Sequence, residues 1–107
     1  MTRDTLQGRP VTGQAATLLA EVMATPDGSL DLVGFWRLFG GGGYCRLRFE
    51  ATRGQWQGVV TDCPGTEARH APVNCTFSTE RVADFLRVAD CRRDGPGQWA
   101  ARYQEPA

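Results

Sequence analysis

The sequence contains no lysine and no isoleucine, a single asparagine, Asn74, and a single histidine, His70. Lysine, isoleucine and asparagine draw on AT-rich codons; glycine, alanine, arginine and proline, all abundant here, draw on GC-rich ones. The pattern is that of a GC-rich genome, and a bacterial or phage accessory protein is the expected source. That all 12 basic residues are arginine is therefore no evidence of nucleic-acid binding. A net charge is also missing, because 12 acidic residues balance the arginines. A neutral chain has no global field to steer it to DNA or to an anionic membrane. No apolar run approaches the roughly 20 residues of a membrane span. Segment 15–24 is short, is interrupted by Glu21 and lacks a cationic start, so it is a poor signal peptide. A cytoplasmic protein is the expectation.

What is present fits one folded unit. A chain of 107 residues suits a single domain. Three Trp, two Tyr and five Phe supply apolar area, which argues against disorder. Residues 1–12, with Gly8 and Pro10, read as a flexible arm, 13–104 as a single α+β domain and 105–107 as a tail. The cysteines Cys45, Cys63, Cys75 and Cys91 are even in number, but without a secretory leader they are expected as free, buried thiols.

Periodicity places a helix over 14–25, with Ala16, Leu19, Ala20 and Met23 at helical spacing and Leu18 and Val22 widening the stripe. Thr25-Pro26-Asp27-Gly28 ends it with turn chemistry. Three strands follow, over 30–39, 44–51 and 56–62, separated by the glycine run 40–43 and by 52–55; two four-residue loops between short strands predict a three-stranded antiparallel meander. The pattern also admits short strands over 73–77 and 98–103. A second helix is expected over 78–91, capped by Ser78, stapled by Phe77 and Val82, and buried through Val82, Phe85, Leu86 and Ala89. Both helices would cover one sheet face.

Loop length then sets the register. If the glycines 40–43 form the whole first loop, Phe39 faces Tyr44, and one face carries Leu38/Cys45, Trp36/Leu47, Gly34/Phe49 and Leu32/Ala51. Taking 52–55 as the second loop adds Ala51/Trp56, Phe49/Gly58, Leu47/Val60 and Cys45/Asp62 to the same face. Phe49 would then lie over Gly34 and Gly58, accounting for two glycines inside strands. The other face gathers Phe35, Arg37, Phe39, Tyr44, Arg46 and Arg48. Residues 37–53 hold four arginines against Glu50 alone. Arg37 opposite Arg46 would set like charges across a strand pair, a cost that an external anion relieves.

That Arg/aromatic face is the candidate site: a non-enzymatic protein-binding surface for an acidic partner or for a second copy by two-fold symmetry. The alternative is single-stranded nucleic acid stacked on the same rings. The glycine run is no phosphate loop, since Gly-Lys-Ser/Thr and a following helix are both absent. His70 lies between Cys63 and Cys75, but the cysteines are too widely spaced for a structural zinc site, so neither a metal nor a cofactor is expected. Catalysis would need Asp62, His70 and a cysteine to converge, and no spacing demands that.

Overall fold

A computed structural model describes residues 13–39 and 42–104. The arm over 1–12, the tail over 105–107 and the centre of the glycine run, 40–41, lie outside the described residues. The domain is α+β: two helices and one short helical turn accompany a six-stranded mixed sheet. In chain order these are α1 (Gly13–Ala24), β1 (Ser29–Val33), the turn α2 (Trp36–Phe39), β2 (Tyr44–Glu50), β3 (Gln55–Thr61), β4 (Val73–Phe77), α3 (Thr79–Leu86), β5 (Ala89–Gly95) and β6 (Gln98–Tyr103). The sheet runs β4-β3-β2-β1-β6-β5, so the expected meander is only its β4–β1 side enlarged by one strand. Neighbouring strands are antiparallel except β1 and β6, which are parallel.

Helix α1 buries Ala15, Leu18 and Val22, with Leu19 and Met23 partly covered. The buried stripe is thus rotated from the expected one: Ala16 and Ala20 face solvent. Glu21 ties the helix to the far hairpin, accepting from the Gly97 backbone N–H and from Arg93 Nε at 3.0 Å. The Gly97 hydrogen bond, then Arg93, hold its carboxyl below the usual carboxylate range. Helix α3 starts as expected, with Ser78 Oγ accepting from the Arg81 N–H at 3.0 Å. It stops at Leu86, five residues short of the expected end, and the chain turns into β5. The reason is the hairpin built on Gly95-Pro96-Gly97: β5 pairs with β6 across it, setting Cys91 against Ala101 in the core.

The first strand is also shorter than expected. It ends at Val33; Gly34 adopts φ +87°, where a side chain would be strained, and donates its N–H to Gly43 O at 2.7 Å. The chain therefore leaves the strand at Gly34, and Phe35 turns inward to an exposure of 1%. Cys45 faces Leu32 and not Leu38, a slip of six residues. On the other side Cys45 faces Val60 and not Asp62, a slip of two. Both slips are even, so each strand keeps its expected face. Leu30, Leu32, Cys45, Leu47, Trp56 and Val60 line the core with both helices. The proposed cover of Phe49 over Gly34 and Gly58 does not form: Phe49 faces Trp56, and Gly58 faces Leu47.

All four cysteines are free. Cys45 and Cys75 bring their sulfurs to 3.5 Å over the bare backbone of Gly58. They sit two strands apart, a Cα separation of at least about 9.5 Å from strand spacing, well beyond the roughly 7 Å a disulfide spans. The pair is a thiol contact. Burial pushes both thiols above their ordinary value and lifts Cys91 to about 11.

Candidate interaction surface

The sheet has two unlike faces. The core face meets α1 and α3. Among the described residues the opposite face carries no helix, and on β2 to β4 it presents Tyr44, Arg46, Arg48, Gln57, Val59, Thr61, Asn74 and Thr76. These strands frame a broad, shallow concavity of about 740 Å³. Alternation of apolar and polar residues along β2 puts the arginines here, because burying either would cost far more than a neutral neighbour.

The six expected site residues divide between the two sides of the sheet. Tyr44, Arg46 and Arg48 lie together on the open face. Phe35 and Phe39 do not join them: the turn after Gly34 swings both into an aromatic cluster with Phe77, Phe85 and Tyr103, at centroid separations of 5.1 to 6.3 Å. Arg37 sits on α2, its guanidinium 5.0 Å over the ring of Trp36. The expected Arg37/Arg46 opposition is therefore absent. Asp31 faces Arg46 across β1 and β2 and takes it in a two-pronged ion pair, Nε to Oδ1 at 2.7 Å and a terminal nitrogen to Oδ2 at 3.1 Å. The carboxylate holds Arg46 firmly in its charged form. Burial, and then the same carboxylate, push the Tyr44 phenol above its ordinary value. Arg48 is held more loosely, 3.7 Å from Asp27, with both side chains largely exposed. An exposed pair of that kind is worth about 0–1 kcal/mol.

Two apolar residues of this region were not among the expected site residues. Val59, on the open face, is 40% exposed, and Val73, at the start of β4, is 59% exposed. For Val73 the signal is the composition of its strand. Edge strand β4, Val73-Asn74-Cys75-Thr76-Phe77, carries no charge. The opposite edge, β5, carries Asp90, Arg92, Arg93 and Asp94. Charge blunts an edge against pairing with another chain, and β4 lacks it.

A second cluster forms where β3 leaves the sheet. Asp62 is not on the core face. It lies one residue beyond β3 and accepts from the backbone N–H groups of Arg69 and His70, at 2.5 and 2.9 Å, and contacts His70 Nδ1 at 2.8 Å. The Arg69 amide, then His70, lower its pKa from 3.8 to about 2. A depressed carboxylate stabilises the fold above its ordinary value and loses that contribution as pH falls towards the folded value. Between about pH 4 and pH 2 the amides of Arg69 and His70 are expected to lose exchange protection while the core stays protected. A carboxyl NMR titration placing Asp62 near 3.8 would contradict this. Among the described residues no cysteine is hydrogen-bonded to the Asp62–His70 pair; Cys75 bonds to Cys45 and to Gly58 O. Among the described residues no three His, Cys, Asp or Glu side chains gather as a metal site, and no helix is long and apolar enough to cross a membrane.

Comparison with protein-family models, with curated proteins and with solved structures found no match to this chain.

Proposed function

We propose that the chain is a small cytoplasmic protein-binding module, without enzymatic activity, that receives an acidic protein surface on the open face of its sheet. The observation that carries this reading is the loosely held Arg48 beside half-exposed Arg46 and exposed Val59, on a face that no described helix covers. Arginine and tyrosine are enriched at protein hot spots, and the solvent-facing Val59 adds apolar area beside them. The free thiols suit a reducing compartment. A second reading, self-association, is favoured by the uncharged β4 edge, along which a second copy would extend the sheet. The nucleic-acid alternative has less support than the sequence suggested. With Phe35 and Phe39 packed inside, Tyr44 is the one aromatic residue that the described strands place on the open face.

Capture from a cell extract tests the reading. Arg48→Glu and Val59→Glu alter exposed side chains and should leave the melting temperature unchanged. Each is expected to lower recovery of the partner about tenfold or more. Arg46→Glu is less informative, because it would set a second carboxylate against Asp31. Equal recovery by wild type and both variants would refute the proposal.

A further inference from the structure

The loop after β3 roofs a second cleft, on the helix side of the sheet, separate from the open face. It has a volume of about 570 Å³, within the range of small-molecule sites. Phe39, Phe77 and Phe85 form its aromatic wall, and Val60 and Val73 complete the apolar lining. The three rings already pack edge-on and stacked against one another, with Phe77 and Phe85 at 5.1 Å and Phe39 and Phe77 at 6.3 Å. Such a wall offers a further aromatic ring the same geometries.

The polar lining is of one sign. Arg69, His70 and Arg81 line the cleft, and among the described residues no acidic one does. Arg81 holds its guanidinium 4.9 Å over the Phe85 ring, at the boundary between apolar wall and mouth. The neighbouring Asp62 carboxylate is already engaged by three donors of the roof loop. That arrangement fixes the loop, turns His70 Nδ1 away from any ligand and leaves the two guanidiniums unopposed within the lining. A neutral hydrophobic ligand would use the wall and ignore the arginines. A highly charged ligand would use the arginines and leave the wall wet.

We propose that this cleft binds a small aromatic carboxylate, its ring against Phe39, Phe77 and Phe85 and its carboxylate between Arg69 and Arg81. The planar guanidinium fork matches a carboxylate, and burial of the ring supplies the remainder. The site is distinct from the protein-binding face, so either proposal can fail alone.

Calorimetric titration with 2-naphthoate and with its uncharged analogue 2-naphthalenemethanol tests this, with the binding site mapped by NMR shifts. Naphthoate is expected to bind about tenfold tighter than the alcohol, the worth of one charge-assisted contact. The double variant Arg69→Ala, Arg81→Ala should lose that preference and keep the alcohol's affinity. Ala71→Trp, at an exposed position lining the mouth, should block both probes. Circular dichroism and thermal melts establish that each variant is folded. No binding of either probe at millimolar concentration, equal affinity for the two, a preference that survives loss of both arginines, or shifts mapping outside the cleft would each overturn the proposal.

Discussion

Replacing Trp56 by alanine is expected to remove about 3–5 kcal/mol of folding stability. Trp56 is fully buried on β3, tilts its ring against Phe49 at 5.4 Å, and donates Nε1–H to Thr79 Oγ1 at 2.9 Å. The indole thus fills the space between sheet and α3 and fastens the first turn of that helix. Alanine would leave a cavity and take away the donor that Thr79 Oγ1 accepts from. Domains of this size have a total stability of about 5–15 kcal/mol, so the variant is expected to melt more than about 10 °C lower. Trp56→Phe separates the two roles. It keeps most of the volume and loses only the hydrogen bond to Thr79, at a cost of about 1–2 kcal/mol. Chemical denaturation of both variants measures the difference; equal losses would show that the hydrogen bond, and not the packing, dominates.

Gly58→Ala is also expected to be destabilising, although it adds a single carbon. A Cβ at this position would lie 2.3 Å from the carbonyl oxygen of Arg46 and 2.9 Å from both Cys45 Sγ and Leu47 Cδ2. The side chains could give way, but the backbone oxygen belongs to the ladder between β2 and β3. Overpacking of this kind costs about 1–3 kcal/mol, and the strand shift would also part the Cys45 and Cys75 sulfurs. Gly13→Ala is the control, since among the described residues nothing lies within 4 Å of a Cβ there; it should leave the melting temperature unchanged or raise it. A Gly58→Ala protein as stable as the wild type would mean that Cys45, Leu47 and Cys75 do not close over bare backbone.

These residues also show what was legible in the sequence. Alternation assigned Cys45, Leu47, Trp56, Gly58 and Val60 to one face. That assignment survived because register slips of six and two residues do not change parity. The slips themselves were not legible. Four glycines in a row mark a loop but not where it begins, and the decisive residue was Gly34, whose positive φ leaves no trace in its neighbours. Once the chain turned there, Phe35 and Phe39 gained more by packing with Phe77 and Phe85 than by extending a strand, and the expected Arg/aromatic face lost its aromatics. The α3–β5 boundary failed for a different reason. Val82, Phe85, Leu86 and Ala89 continue a helical stripe, and Gly95-Pro96-Gly97 serves equally as a helix stop or a hairpin turn. Only the distant pairing with β6 decides between them. The parallel contact of β1 with β6 joins residues near opposite ends of the chain and has no local signal at all. Of the candidate site, Tyr44, Arg46 and Arg48 were legible by alternation on β2. The ion pair of Arg46 with Asp31 was not, because it depends on the register.

On the proposed reading, the uncovered side of β2, β3 and β4 is where this protein meets its partner. Hydrogen exchange on the captured complex tests it most directly. The expected result is slowed exchange across β2, β3 and β4, with α1 and α3 unchanged. Protection confined to α1 and α3, with β2, β3 and β4 exchanging as in the free protein, would contradict it.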